Sequence, residues 1–209
     1  MSTVPQQLRT SIGALLILIG AAGGAYVVTE EVRKEAIRNE YVQAVAADQD
    51  ASVAVKIAMV MASFYESSNR HIGTPYVDKL GKGQPLTVCN GITGRDVIAG
   101  KYYTPAACYW LEKTRYLRYE RVASDLLNNW GDYDPFTQAT FLDFLHNKGE
   151  GNFRTSTMLR KANAGDLQGA CAENPRWNRG TVNGVSTVLP GLKRRGDSNA
   201  EICEDWRLS

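Results

Sequence analysis

An uncharged run near the N-terminus is the feature that most constrains how this chain folds. Arg9 is the only charged residue before Glu30, and residues 10–29 form an uncharged stretch of 20 residues. As a helix, that stretch would be about 30 Å long, which matches the hydrocarbon thickness of a bilayer. The run therefore predicts an N-terminal transmembrane helix.

The composition of the run makes its membrane insertion marginal. Eight positions between Gly13 and Ala25 are Gly or Ala. The strongly apolar residues contribute about −0.3 to −0.6 kcal/mol each, so the gross gain is only roughly −2 to −5 kcal/mol. Three interpretations remain open: a cleaved signal peptide that uses Ala21-Ala22-Gly23, an ordinary anchor, or a weak anchor that can leave the membrane. All three imply export, with residues 11–28 contacting the inner membrane.

Length and charge limit the rest of the chain. With 209 residues and 44% hydrophobic composition, it can bury one good core but not two large ones. We expect an anchor at residues 1–47, whose part from Glu30 to Ala47 is a polar, charge-laced helix or linker. One globular domain is expected at residues 48–209. The net charge of +2 lacks the dense positive face that nucleic-acid binding requires, so DNA and RNA are excluded as partners.

The cysteines point to an oxidising compartment. All four lie beyond the apolar run, at Cys89, Cys108, Cys171 and Cys203. An even number in an exported chain favours two disulfides, and no Cys/His spacing typical of a zinc site occurs, so no metal is expected. Three pairings are possible, of which the nearest-neighbour one closes the shortest loops.

The pattern of apolar residues and caps predicts an α+β domain that is mostly helical. A small β-hairpin region is expected between Gly73 and Gly100, and it is the only sheet expected. The predicted helices run from about Asp50 to Glu66, from Thr104-Pro105 to about Leu127, from Asp134-Pro135 onward, from Asp166 to Asn174-Pro175, and from about Asn199 to Trp206.

Three polar residues follow the first of these helices at positions suited to chemistry. Glu66 ends the helix, Asp78 lies in the turn region and Thr87 in the β region. Two carboxyl groups can divide acid and base work in cleaving a sugar polymer. Taken alone, the same residues are explained as a solvated helix end, a turn residue and a strand residue. His71, between the carboxylates, is interpreted as an exposed loop residue without a catalytic role.

A longer pattern favours the chemical interpretation. The stretch ATFLDFLHNKGEGNFRTSTMLRKANAGDLQGACAENPRW at residues 139–177, together with LPGLKRR at 189–195, resembles the phage-type lysozymes of glycoside hydrolase family 24. The resemblance covers roughly residues 50–206, and the weak N-terminal anchor is similar to the signal-arrest-release segment of some endolysins of that family. It implies a lysozyme-like fold and an exported enzyme, first tethered to the inner membrane and then periplasmic. Its implied substrate is the β-1,4 bond between N-acetylmuramic acid and N-acetylglucosamine in peptidoglycan, with no cofactor.

The resemblance also implies roles for the three polar residues. Glu66 would be the general acid, Asp78 would activate water and Thr87 would hold that water, in an inverting reaction. Both intervals between them look longer than is usual in the family, and Ser67 and Ile92 replace residues common there. We expect burial beside the helix end to raise the pKa of Glu66, while Asp78 stays anionic in a solvated turn.

Other residues extend the expected site. Arg194 or Arg195 could pair with Glu66, although a solvated basic face is the more common meaning of such a run. The Asn-x-Gly turn at Asn147 and Gly149 has two explanations, helix termination and substrate contact. Both account equally well for the turn and for the residues after it. The expected substrate-binding residues are Asn147, Gly149, Phe153, Ser156 and Thr157.

Two rival functions fit the same residues. A lytic transglycosylase needs an acid/base group but no carboxylate to activate water. A catalytically weak, membrane-held wall-binding protein would account for the altered loop lengths and for Ser67 and Ile92. The products formed from peptidoglycan distinguish all three: reducing ends, anhydro ends, or none.

Overall fold

The computed structural model describes residues 2–20, 28–78, 83–182 and 184–205. Most of them are helical, and the α-helices are α1 (Gln6–Leu18), α2 (Glu30–Arg38), α3 (Glu40–Ala47), α4 (Val53–Ser67), α5 (Pro105–Leu126), α6 (Pro135–Lys148), α7 (Glu150–Arg154), α8 (Thr157–Asn163), α9 (Leu167–Cys171) and α10 (Pro190–Asp205). Short 3-10 helices span Trp130–Asp132 and Asn174–Trp177. The strands are β1 (Tyr76–Val77), β2 (Leu86–Val88), β3 (Ile92–Thr93), β4 (Arg179–Val182) and β5 (Val185–Val188). The expected mostly helical α+β class is confirmed.

Side-chain caps and first-turn prolines set where the central helices begin. The Ser52 side chain accepts a hydrogen bond from the backbone N–H of Val55 at the start of α4. Thr104 and Asp134 cap α5 and α6 in the same way, and each is followed by a proline whose missing N–H costs nothing there. These two starts are the ones that the sequence predicts.

Helix α4 is the centre of the core. Its residues from Ala54 to Phe64 are all buried, and it packs against α1, α5 and α6. A helix that is apolar around its whole circumference must be enclosed by other elements. Its last turn reaches the surface, and that turn carries Glu66.

The predicted β-hairpin region is a three-stranded antiparallel sheet in the order β1-β2-β3. Tyr76 pairs with Thr87 and Val77 with Leu86, while Val88 pairs with Ile92 on the other side. Because Asp78 follows β1 directly, this register brings it to the end of the sheet opposite Pro85, whose carbonyl accepts from the Asp78 N–H at 2.9 Å.

The expectation of a single sheet is wrong. Strands β4 and β5 form a second antiparallel pair, with Val182 opposite Val185. Their connection is the two-residue sequence Asn183-Gly184, of which Asn183 lies outside the described residues. Asn-Gly between short β-branched runs is a strong hairpin signal that the sequence interpretation overlooked.

The predicted start of the last helix near Asn199 is also wrong. Helix α10 begins at Pro190, and its expected end at Trp206 lies outside the described residues. Gly191 and Gly196 lower the helix propensity of the first turns and conceal the start. Gly196 is required for packing, since a Cβ there would lie 2.8 Å from the carbonyl oxygen of Asn174.

The N-terminal segment packs on the same core as the rest of the chain. Helix α1 contacts α2, α3 and α4, and it buries Leu8, Ile12 and Leu15 completely. It ends at Leu18, and Gly20 follows with a φ of +70°. Residues 21–27 of the expected anchor, including the possible cleavage motif, lie outside the described residues. Among the described helices, none combines the length and apolarity needed to cross a membrane.

The polar segment from Glu30 to Ala47, expected to be a helix or a linker, forms two helices, α2 and α3, separated at Asn39. The Asn39 side chain accepts from the backbone N–H of Val42 and so caps α3. Both disulfides are present in the nearest-neighbour pairing, Cys89 with Cys108 and Cys171 with Cys203.

Candidate active site

Glu66 lies in the last turn of α4 with 36% of its side chain exposed. The C-terminal end of a helix carries a partial negative charge, which disfavours a carboxylate there. Two groups from other helices compensate for it. Arg195 Nη1 of α10 lies 2.7 Å from Glu66 Oε1, and His146 Nε2 of α6 lies 3.5 Å from the same oxygen.

Arg195 is held by a second carboxylate. Its Nε donates to Asp143 Oδ2 at 2.9 Å and its Nη2 donates to Asp143 Oδ1 at 2.7 Å, a bidentate arrangement that fixes the guanidinium plane. Asn199 Nδ2 also donates to Asp143 Oδ2 at 2.6 Å. Asp143 is fully buried, so it requires these donors. The sequence hypothesis that Arg195 pairs with Glu66 is confirmed for the contact itself.

His146 is enclosed by aromatic rings of α5. Its imidazole stacks on Tyr116 with ring centroids 5.3 Å apart and meets the edge of Tyr119 at 6.1 Å. Only 9% of its side chain is exposed. Packing therefore fixes the ring plane and aims Nε2 at Glu66.

The expected upward shift of the Glu66 pKa is wrong. Burial raises the pKa, but hydrogen bonding to His146 and the charge of Arg195 outweigh burial and lower it to about 2. In the free protein Glu66 is therefore a carboxylate at neutral pH. The same contacts raise the pKa of Arg195 above its ordinary value, against the effect of burial, mainly through Asp143.

The other two candidate catalytic residues lie on the β1-β2-β3 sheet. Asp78 is partly exposed at the end of β1. Thr87 is buried in β2, and its hydroxyl donates to the Pro85 carbonyl oxygen at 3.2 Å. The lone pairs of that hydroxyl are still able to accept a hydrogen bond from water.

The five expected substrate-binding residues separate into two groups. Asn147 is partly exposed and lies beside Arg195 around a narrow crevice. Gly149 joins α6 to α7 with a φ of +82°, a backbone conformation that favours glycine. Thr157 is partly exposed at the start of α8.

Phe153 and Ser156 do not offer their side chains to a ligand in this structure. Phe153 is fully buried between Phe141 and Phe144, at centroid distances of 6.0 Å and 5.7 Å, and belongs to the core. The Ser156 hydroxyl accepts from the Leu159 N–H as the cap of α8 and donates to the Phe153 carbonyl. Its hydrogen bonds are explained by helix capping.

Sequence reasoning missed Asp143 and His146. Both lie in α6: Asp143 interrupts the apolar run from Phe141 to Leu145, and His146 follows that run directly. Their spacing of three residues puts them on one face of the helix. Polar side chains on a face that is otherwise buried are the signal that could have identified them, because burial of such groups demands a partner.

A separate cavity of about 460 Å³ lies between the N-terminal helices and the end of β2. It is lined by Gln7, Arg38, Arg70 and Asn90, among others, but not by Glu66, Asp78 or Thr87. We therefore base the candidate site on the Glu66 contacts and the sheet.

Comparison with known proteins identifies similar sequences. The sequence profile of the family described as Phage lysozyme matches residues 71–199. Over 129 residues the chain is 38% identical to an SAR-endolysin of Bacteriophage PS119, covering 62% of this chain and 72% of that protein. It is also 38% identical over 129 residues to an SAR-endolysin of Enterobacteria phage P21, with 62% and 73% covered. The profile match begins after Glu66, so the assignment of that residue depends on its geometry.

Solved structures show the same fold. The active form of the P1 phage endolysin Lyz superposes with a TM-score of 0.64 at 18% identity, covering 87% of this chain and 96% of that one. An endolysin from Escherichia coli O157:H7 phage FAHEc1 superposes with a TM-score of 0.63 at 19% identity, covering 76% and 95%.

Proposed function

Because this chain belongs to the phage lysozyme family, we propose that it is an endolysin that hydrolyses the β-1,4 bond between N-acetylmuramic acid and N-acetylglucosamine in peptidoglycan. The observation that carries the proposal is Glu66 at the end of α4, held by Arg195 and His146 and followed along the chain by the sheet that bears Asp78 and Thr87.

We assign the chemical roles as follows. Glu66 gives a proton to the glycosidic oxygen as the bond to the anomeric carbon breaks, and the bonding electron pair goes to that oxygen. Asp78 takes a proton from the water that attacks the anomeric carbon from the opposite side. Thr87 accepts a hydrogen bond from that water. The configuration at the anomeric carbon is inverted.

This role requires Glu66 to gain a proton when substrate binds. A polysaccharide in the cleft covers the exposed third of the Glu66 side chain and excludes water, which disfavours the carboxylate. Binding and proton uptake are then coupled. The contacts on Oε1 keep the acid ionised until the sugar is present.

The decisive experiment is cleavage of purified peptidoglycan by Glu66→Gln. Glutamine keeps the size and position of the side chain but has no transferable proton, so kcat should fall by at least about 100-fold while the melting temperature changes little. Glu31→Gln, at an exposed position of α2, is the matched control and should cleave normally. Turnover by Glu66→Gln at the wild-type rate would overturn the assignment.

Asp78→Asn separates hydrolysis from transglycosylation. It should also reduce hydrolysis by at least about 100-fold, because no carboxylate remains to activate water. The wild-type products should carry reducing ends, and Asp125→Asn on the exposed face of α5 should leave them unchanged. Anhydro ends together with an active Asp78→Asn variant would identify a lytic transglycosylase, and binding without cleavage would identify a wall-binding protein.

We further propose that residues 1–47 act as a releasable signal anchor for the domain at residues 48–209. The relatives named SAR-endolysins support this, as does the marginal apolarity of the run. In the described fold the apolar side of α1 is covered by α3 and α4 instead of lipid. The chain would first be tethered to the inner membrane and would then move into the periplasm with α1 packed on the domain.

A further inference from the structure

The contacts on Glu66 are asymmetric between its two carboxylate oxygens. Arg195 Nη1 and His146 Nε2 both approach Oε1, at 2.7 Å and 3.5 Å. Across the described residues, no hydrogen bond reaches Oε2. Oε2 is therefore the oxygen left available to a sugar in the cleft.

The surroundings of His146 indicate which ring nitrogen carries the proton. Nδ1 is buried and has no hydrogen-bond partner among the described residues. A buried N–H without an acceptor is strongly unfavourable, because it has lost its hydrogen bond to water and gained none in return. The hydrogen-bond network therefore places the hydrogen on Nε2, from which it is directed to Glu66.

Arg195 binds a second carboxylate besides Glu66, whereas His146 contacts only the carboxylate of Glu66 among the described residues. Asp143 binds the guanidinium through two hydrogen bonds and offsets its charge. Of the described ionisable groups on α5, Glu112 and Tyr119 lie near His146, and Tyr116 lies near both His146 and Glu66. Tyr65 on α4 and Lys148 on α6 lie near Arg195 and Asp143. Of the described groups, His146 is the one donor besides Arg195 that contacts the Glu66 carboxylate.

We propose that His146 is a positioning residue that binds Oε1 of Glu66 through Nε2–H and so confines the transferable proton to Oε2. The inference rests on the proposed role of Glu66 as the acid. When the glycosidic oxygen takes the proton from Oε2, the carboxylate that forms already has two donors on Oε1. His146 thus orients the acid toward the leaving group and stabilises the product of proton transfer.

The first test uses the wild-type protein without substitution. Nitrogen-15 shifts of the histidine ring report which ring nitrogen carries hydrogen, and a hydrogen on Nε2 of His146 is expected. A spectrum that shows the proton on Nδ1 alone would overturn the inference, because Nε2 could not then donate to Glu66.

The second test compares two substitutions at the same position. His146→Phe keeps a flat ring against Tyr116 but removes the donor, whereas His146→Gln keeps an N–H. In protein labelled with carbon-13 at the glutamate carboxyls, His146→Phe should raise the pKa of Glu66 from about 2 by about one unit. The alkaline limb of the kcat profile should move to higher pH, and kcat should fall about tenfold with KM little changed. Because His146→Gln keeps a donor, the pKa of Glu66, the alkaline limb and kcat should all stay close to their wild-type values.

The chain has two histidines, and His71→Gln removes the other, whose Nε2 lies 2.7 Å from the Tyr103 carbonyl oxygen; it should leave the Glu66 titration unchanged. If folded His146→Phe titrates and cleaves like wild type while Glu66→Gln is inactive, this inference fails and the proposed function stands. If Glu66→Gln is fully active, the proposed function itself fails.

Discussion

At the scale of single residues, buried charge is stabilised by specific partners at a second place as well as at Glu66. Asp48, between α3 and α4, is buried and pairs with Lys113 and with the Tyr109 hydroxyl. The N–H groups of Asp50 and Ala51 also donate to its Oδ1, at 2.7 Å and 3.2 Å. Burial raises the pKa of Asp48, but these partners, Lys113 and Tyr109 first, lower it well below its ordinary value.

This pairing predicts how stability depends on pH. A carboxyl whose pKa is lower in the folded than in the unfolded chain binds fewer protons when folded. Its stabilising contribution is therefore complete above the unfolded value of about 3.9 and is lost as pH falls below it. Urea unfolding between pH 7 and pH 2 should show the free energy of unfolding decreasing below about pH 4. Asp48→Asn should weaken that dependence.

Asp48→Asn should also destabilise the protein by about 3–5 kcal/mol at pH 7, because it leaves the Lys113 ammonium buried without its partner. The matched control is Asp50→Asn, whose side chain is 91% exposed and lies 4.0 Å from the same ammonium. Its effect should stay within about 0.5 kcal/mol. Equal losses from both variants would show that burial of the pair is not the cause.

Sequence alone predicts the types of residue in the site better than it predicts which of them contact each other. The contact of Arg195 with Glu66 was one of two alternatives, because a basic run after a proline does not reveal which side chain turns inward. Burial of Phe153 could not be separated from substrate contact in a pattern that fits both. The lowered pKa of Glu66 depends on His146, which lies 80 positions further along the chain in sequence and is invisible to local patterns.

At the scale of elements, the sequence predicts where a helix begins when a capping residue and a proline mark its start. Helices α5 and α6 begin where Thr104-Pro105 and Asp134-Pro135 place them. Helix α10 is not predicted because its stability comes from packing rather than propensity: Arg195, Ile202 and Cys203 are buried, while Gly191 and Gly196 lower the helix propensity of its first turns. Tertiary contacts of this kind are not encoded in a local window.

The disulfide between Cys171 and Cys203 fastens α9 to α10 and so supports the helix that carries Arg195. The bond closes a loop with a sequence separation of 32. On the chain-entropy model, loss of the bond in Cys171→Ser with Cys203→Ser should cost about 4 kcal/mol. Thermal unfolding of the double variant measures this, with Cys89→Ser and Cys108→Ser, separation 19, as the comparison pair.

The mass of the intact protein tests both bonds directly. Reduction should add four hydrogens, since two disulfides are present and no described cysteine is free. Four alkylatable thiols in protein recovered from the periplasm would contradict the pairing.

At the scale of the whole molecule, the N-terminus is fastened to the end of the chain. Glu201 of α10 accepts hydrogen bonds from the Ser2 and Thr3 hydroxyls and forms an ion pair with Arg9 at 3.3 Å. The Ser198 hydroxyl donates to the Thr3 carbonyl at 3.1 Å. These contacts can form only when α1 lies on the domain, so under the proposed release model they would stabilise the released form and not the membrane form.

Glu201→Ala should therefore loosen α1 without changing the apolar run. Losing contacts worth about 1 kcal/mol should increase amide hydrogen exchange in α1 about fivefold, while exchange in α4 stays unchanged. Glu204→Ala, three residues further along the same helix and exposed, is the control. Identical exchange in both variants would show that Glu201 does not hold the N-terminal segment.

The glycines of the apolar run differ in whether their replacement affects only membrane insertion. Gly20 has a φ of +70°, so a larger residue there would strain the released fold as well as favour the membrane. Gly23 and Gly24 lie in the apolar run outside the described residues. Replacing both with Leu adds about 1 kcal/mol of apolar insertion energy, which is a large fraction of a marginal total.

The Gly23→Leu, Gly24→Leu variant should remain in the membrane fraction and delay lysis, because escape from the bilayer would cost more. Replacement of the same two glycines with Ser, which adds no apolar surface, is the matched control and should release at least as readily as wild type. Membrane fractionation and lysis timing measure the effect. Lysis by the Leu variant on the wild-type schedule would contradict release from an intact anchor, as would a mature wild-type N-terminus near Gly23, since a cleaved segment has no need to leave the bilayer.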